Sequence, residues 1–277
     1  MSGTDLVGTA MLGLVAVVAA VAVTDARAVG GDQSLREELD KLGQRSIFFG
    51  HQSVGANILD GLTKLATREG VTLRLVELPG GTAIPPGSFA HGLIEENGNP
   101  SRKLESFTRE LGSISKVDVA FMKFCYVDFS ADTDAKALFE KYQATIAGLK
   151  SRRPETSFVH VTAPLTTVQG GPKAFAKRLL GKAPGGVLEN ARREDYNALL
   201  RQAFQGREPI FDLAALQSTR ADGGRVTVEW NGRAVPVLAS EYTDDGGHLN
   251  MVGRLRAARE LVSLLARTPA GTPGRVH

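Results

Sequence analysis

From residue 46 onward, apolar β-branched runs alternate with segments of helical period. Residues 46–49 read as a short strand. In 54–66, Val54, Ile58, Leu59, Leu62 and Leu65 fall on one helical face. A second strand is expected at 72–78. Residues 117–124 are apolar nearly throughout, as a strand covered on both faces should be. A helix over 134–150 turns Leu138, Phe139, Tyr142, Ile146 and Leu149 inward. The fourth strand, 157–163, is bracketed by Pro154 and Pro164, and a helix at 190–204 leads to a fifth strand at 209–213. The last helix, 250–265, carries Met251, Leu255, Ala258, Leu261 and Leu265 on one side. This alternation predicts an α/β fold: a three-layer α/β/α sandwich around a five-stranded parallel sheet. Two segments stand outside it. Residues 80–101, rich in proline and glycine, read as a long loop between the second and third strands, and such loops are commonly functional. Residues 225–238 read as a small β-hairpin insertion around Asn231-Gly232, a favoured two-residue turn.

The amino terminus breaks the pattern. Residues 6–24 carry no charge and are dominated by Val, Ala and Leu. That length suits either the core of a secretion signal or a membrane span. Ala26-Arg27-Ala28 follows, a small-x-small pattern suited to signal peptidase, although Asp5 stands where a signal normally has positive charge. The first expectation is a signal peptide over 1–28, cleaved after Ala28; the second is an uncleaved membrane anchor. Either makes the protein exported, periplasmic or extracellular, with membrane contact only if the segment is retained.

Charge and cysteine content narrow the function classes. Thirty-three Lys and Arg against 30 Asp and Glu leave a net charge of +3, with no basic run, so nucleic acid is not an expected partner. The chain has one cysteine, Cys125, which excludes an intramolecular disulfide and any multi-cysteine metal site. His51, His91 and Asp128 lack compact ligand spacing, so no metal is expected. No glycine-rich nucleotide loop is present, so no cofactor is expected.

In open α/β sheets ligands bind beyond the carboxyl ends of the strands, and two motifs fall there. In Phe49-Gly50-His51-Gln52-Ser53-Val54-Gly55, Ser53 stands where the first strand hands over to a helix. A hydroxyl there suits a nucleophile, since the free N–H groups of the helix favour an oxyanion; an ordinary serine cap suits the position equally. In Asp245-Gly246-Gly247-His248-Leu249-Asn250, Asp245 precedes His248 by three residues, a spacing that lets a carboxylate fix the tautomer of a catalytic histidine. A solvated polar turn explains the same residues. Around these, His51 shares a strand face with Ser53 and is a candidate for substrate contact. Lys123 suits either an ion pair with Asp128 or an anionic substrate group. Tyr126 is a candidate pocket residue, and Cys125 reads as a buried inert thiol.

Together the two motifs, Gly50-His51-Gln52-Ser53 and Asp245-Gly246-Gly247-His248-Leu249-Asn250, resemble the blocks of the SGNH (GDSL-like) hydrolases, over roughly residues 40–268. The resemblance implies a flavodoxin-like sheet and a domain spanning 46–268, between a lead-in segment and helix at 29–45 and a flexible tail at 269–277. It implies a serine esterase in which Ser53 is the nucleophile, His248 the general base and Asp245 its orienting carboxylate. The substrate would be a small-molecule or carbohydrate ester; an O-acyltransferase, or a catalytically weak carbohydrate or cell-envelope binding module, are the alternatives. The oxyanion block departs from the family: Lys123-Phe124-Cys125-Tyr126-Val127-Asp128 has no Asn and only its final Asp matches. Asn97 is the nearest amide that could supply the donor, and Gly92 could fill the family's glycine role, in competition with Gly80, Gly81 and Gly87.

Overall fold

The computed structural model describes residues 33–78, 84–269 and 271. The expected leader at 1–28, the glycines Gly80 and Gly81, and most of the expected tail lie outside the described residues. Among those described, no helix is long and apolar enough to cross a membrane.

Helix α1 (Gln33–Leu42) precedes the central strand β1 (Ile47–His51), which feeds α2 (Ser53–Arg68) after a single intervening residue. Strands β2 (Arg74–Glu77) and β3 (Ser88–Leu93) follow, then α3 (Pro100–Ser113), β4 (Val119–Met122), α4 (Ala135–Arg152) and β5 (Ser157–Val161). Next come α5 (Gly171–Leu179), α6 (Val187–Phe204), β6 (Ile210–Phe211) and α7 (Leu213–Gln217). The hairpin β7 (Thr227–Trp230) and β8 (Arg233–Pro236) precedes the last helix, α8 (Met251–Arg267).

The sheet has six strands in the order β2-β3-β1-β4-β5-β6, each parallel to its neighbour. The expected α/β sandwich stands, but its sheet has one strand more than the five predicted. The added strand is β3, inside the segment read as loop over 80–101; it pairs Phe89 with Ile47 and Gly92 with Gly50. The helix α3 begins there too, with the Asn99 side chain capping Arg102 N at 3.1 Å and Pro100 at the first helical position. The hairpin forms as expected, with Asn231 and Gly232 both at positive φ.

Strand alternation divides the core into two layers. Ile47, Phe49, Phe89, Phe121 and Val159 face α1, α2 and α8, and Leu62, Leu65, Leu261 and Leu265 close over them. Phe48, Ala90, Ala120, Met122 and Phe158 face the opposite side, under Leu104, Phe107, Phe139, Ile146 and Tyr196 of α3, α4 and α6. The inner strands β1, β4 and β5 are therefore buried on both faces, while the edge strand β2 is partly exposed, and the carboxyl ends of the strands deliver loops to one edge, where both motifs sit.

Candidate active site

Ser53 is the first residue of α2, directly beyond the carboxyl end of β1. The strand runs two residues further than expected, so His51 is its last member. No side chain caps α2: Gln52 at the cap position instead donates Nε2 to Glu95 O at 2.6 Å. The first-turn amides of α2 therefore present an uncapped positive pole beside the Ser53 hydroxyl. Ser53 Oγ lies 3.6 Å from Cys125 Sγ. The thiol is buried, as expected, but it lies against the serine.

The histidine motif folds as the spacing predicts. Asp245 Oδ2 binds His248 Nδ1 at 2.6 Å, while Oδ1 accepts from the backbone N–H groups of Gly247 at 2.9 Å and His248 at 2.8 Å. Those amide bonds, Gly247 first, together with the imidazole hold the Asp245 carboxyl well below the usual carboxylate range. The carboxylate partner assigns the ring proton to Nδ1 and leaves Nε2 as an acceptor. Tyr126 Oη donates to that nitrogen at 3.5 Å, a long bond, and the two rings meet edge to face with centroids 5.7 Å apart. Burial pushes the Tyr126 phenol up, so it stays a donor. Gly247 makes room for this contact, since a Cβ there would come within 2.9 Å of the Tyr126 ring.

The two motifs are drawn together by two tethers, and a third bond fixes the loop between them. Leu249 N donates to Asn57 Oδ1 at 3.0 Å, tying the His248 loop to the turn of α2 that follows Ser53. Cys125 and Tyr126 are consecutive, one against Ser53 and the other against His248. The backbone oxygen of Tyr126 is held by Arg193 Nε at 3.1 Å. Among the described residues no hydrogen bond joins Ser53 Oγ to His248; each is engaged by the Cys125-Tyr126 loop instead.

Several sequence expectations change at this edge. Lys123 does not pair with Asp128. Asp128 binds Lys103 Nζ at 2.7 Å and also accepts from Cys125 N at 2.6 Å and Gly98 N at 2.8 Å, locking the loop after β4 to the loop before α3. Lys123 is itself buried, donates to Phe124 O at 3.1 Å, and is pushed down to about 8 by that burial, so it is not open to an anionic substrate. His51 is buried rather than facing substrate. It lies 3.2 Å from His91 Nδ1 through Nε2 and is lowered to about 3, first by burial and then by the neighbouring His91 and Lys123. The first turn of α2 covers it so closely that a Cβ on Gly55 would fall 2.4 Å from His51 Cβ. Gly92 is an interior residue of β3, paired with Gly50, so its amide belongs to the ladder and not to a site beyond the strand. Asn97 is exposed, and its Oδ1 accepts from Lys103 Nζ at 2.7 Å rather than serving Ser53. Five contributors were not singled out by sequence: Gln52, Asn57, Glu95, Lys103 and Arg193. Glu95 is a non-glycine residue at φ 43°, a conformation that costs energy and is found preferentially at functional edges.

No family model matches the chain, and no curated protein matches it. Solved structures do. The chain is similar to a protein provisionally assigned as a platelet activating factor from Streptococcus pneumonia, at 14% identity and TM-score 0.49, over 85% of this chain and 92% of that one. It is also similar to the lipase/acylhydrolase from Enterococcus faecalis, at 13% identity and TM-score 0.44, over 80% and 95%. A third likeness is to a provisionally assigned lipolytic protein of the G-D-S-L family from Desulfitobacterium hafniense DCB-2, at 9% identity and TM-score 0.46, over 79% and 99%.

Proposed function

We propose that the protein is an exported serine esterase or acyl hydrolase of SGNH type. The reading is carried by the Asp245–His248 pair, which leaves Nε2 as a base and is tethered through Asn57 to the helix that Ser53 begins. For reaction, His248 Nε2 exchanges its long bond to Tyr126 for one to Ser53. Ser53 Oγ attacks the ester carbonyl as its proton passes to Nε2, and the oxyanion develops at the uncapped pole of α2. The imidazolium then protonates the departing alcohol, and water, activated by the same nitrogen, releases the acyl group and restores Ser53. Asp245 stabilises the imidazolium at each stage. Acyl transfer to a sugar hydroxyl in place of water is the variant of the same chemistry.

The competing reading, a weakly catalytic carbohydrate or cell-envelope binding module, is favoured by the Ser53–Cys125 contact and by the fact that, among the described residues, no Asn or Gln side chain bonds to Ser53. Hydrolysis of p-nitrophenyl acetate separates the two. Wild type is expected to turn over, with Ser53→Ala and His248→Ala at background. Activity that survives Ser53→Ala rejects the assigned nucleophile, and inactive wild type on short-chain esters supports the binding module.

A further inference from the structure

Helix α5 turns its apolar side to solvent. Ala174 is its one buried residue, while Phe175, Leu179 and the adjoining Leu180 are 64%, 72% and 72% exposed. At 3.6 residues per turn, Pro172, Phe175, Ala176 and Leu179 share the arc directed away from Ala174. Lys173 and Lys177 border that arc on one side and Arg178 on the other. A helix of a soluble domain normally shows the reverse arrangement, with the apolar stripe against the core. The segment is also strongly cationic. Lys173, Lys177, Arg178 and Lys182 lie within it, and no Asp or Glu occurs between Thr167 and Leu188. Glycines at positive φ, Gly171 and Gly186, flank it.

We propose that α5 and its flanks are a docking surface for an anionic lipid bilayer. Phe175, Leu179 and Leu180 enter the headgroup–acyl boundary, and the four cations lie among the phosphates, the arrangement of an in-plane amphipathic helix. Charge complementarity selects this occupant. A second copy of the same surface would set the cations of one helix against those of the other, whereas an anionic headgroup layer accepts apolar and basic groups together. The surface is joined to the candidate site. Thr167 N donates to Gly246 O at 2.8 Å in the loop that carries Asp245 and His248, and Gln169 N donates to Gly185 O at 2.9 Å across the base of the α5 excursion. Docking through α5 would therefore hold that edge of the sheet close to the membrane. The inference stands whether or not the site hydrolyses esters.

The test is local, so that residues 6–24 do not decide it. The full chain carries Leu179→Cys labelled with an environment-sensitive nitrobenzoxadiazole dye; the native Cys125 is buried. Emission is expected to brighten and shift to the blue with phosphatidylcholine–phosphatidylglycerol vesicles, and to change little with phosphatidylcholine alone. Adding Lys173→Glu and Lys177→Glu should weaken the lipid titration by roughly thirtyfold or more, at about 1 kcal/mol per cation near an anionic surface. Unshifted emission on anionic vesicles overturns the proposal. So does an equal shift on neutral vesicles, or a shift that grows with protein concentration in the absence of lipid, which would mark a second copy as the occupant.

Discussion

Lys103→Met perturbs the site without touching a reacting group. The Lys103 and Asp128 side chains are both fully buried and 2.7 Å apart. Removing the ammonium while keeping an apolar stem leaves the Asp128 carboxylate buried with the amides of Cys125 and Gly98 as its remaining donors. Orphaning one member of a buried pair costs about 3–5 kcal/mol. In a domain of this size each kcal/mol moves Tm by about 2–4 °C, so the melting temperature should fall by roughly 10 °C. Thermal melting by circular dichroism measures it, with urea unfolding as the check on free energy. The charge argument also demands non-additivity. In Lys103→Met/Asp128→Asn no charge is orphaned, so the double variant should be less destabilised than the sum of the singles by about 2 kcal/mol. A fall in Tm under about 2 °C, or an additive double variant, would refute the reasoning.

Acidification should destabilise the fold through two buried histidines. His51 and His160 are lowered by burial from 6.5 to about 3 and about 4, so between those values and 6.5 the unfolded chain binds protons that the folded chain does not. Stability present above pH 6.5 is therefore lost as pH falls, by about 2 kcal/mol per histidine between pH 7.5 and 5, seen as a lower urea midpoint; a midpoint flat over that range contradicts it. Gly55→Ala should cost about 1–3 kcal/mol, because its Cβ would meet His51, and an unchanged unfolding midpoint would show that α2 can lift without penalty. Asp245→Asn should lower kcat on p-nitrophenyl acetate by roughly two to four orders of magnitude with KM little changed, since the amide no longer fixes the Nδ1–H tautomer. A pure KM effect would place Asp245 in binding instead.

The elements that sequence conveyed best are those whose period is undisturbed. Helix α8 and the apolar run of β4 are legible because packing and pattern agree, and the Asp245–His248 pair because both partners lie within one turn. Strand β3 is different. Its apolar residues Phe89, Ala90 and Leu93 are interrupted by His91 and Gly92 and follow Pro85-Pro86-Gly87, so turn composition outweighs the strand signal. Helix α3 had its cap, its Pro100 and its Leu104, Phe107 and Leu111 spacing in plain sight, adjoining a segment that composition marks as loop. The Lys103–Asp128 pair joins residues 25 apart in sequence and depends on α3 lying over the sheet edge. Charge proximity along the chain favours Lys123 for that role, but just past the end of β4 the Lys123 ammonium donates to Phe124 O instead. Inverted amphipathicity in α5 is invisible without burial, since the periodicity of an exposed apolar stripe equals that of a buried one.

The central claim is that Ser53 is the nucleophile. Reaction of the purified full chain with a fluorophosphonate, followed by peptide mass spectrometry, tests it most directly. The account predicts a single phosphonyl adduct on the peptide containing Ser53, abolished in His248→Ala and retained when Cys125 is replaced by Ser. An adduct elsewhere, or labelling of Ser53 that is indifferent to His248, would contradict it.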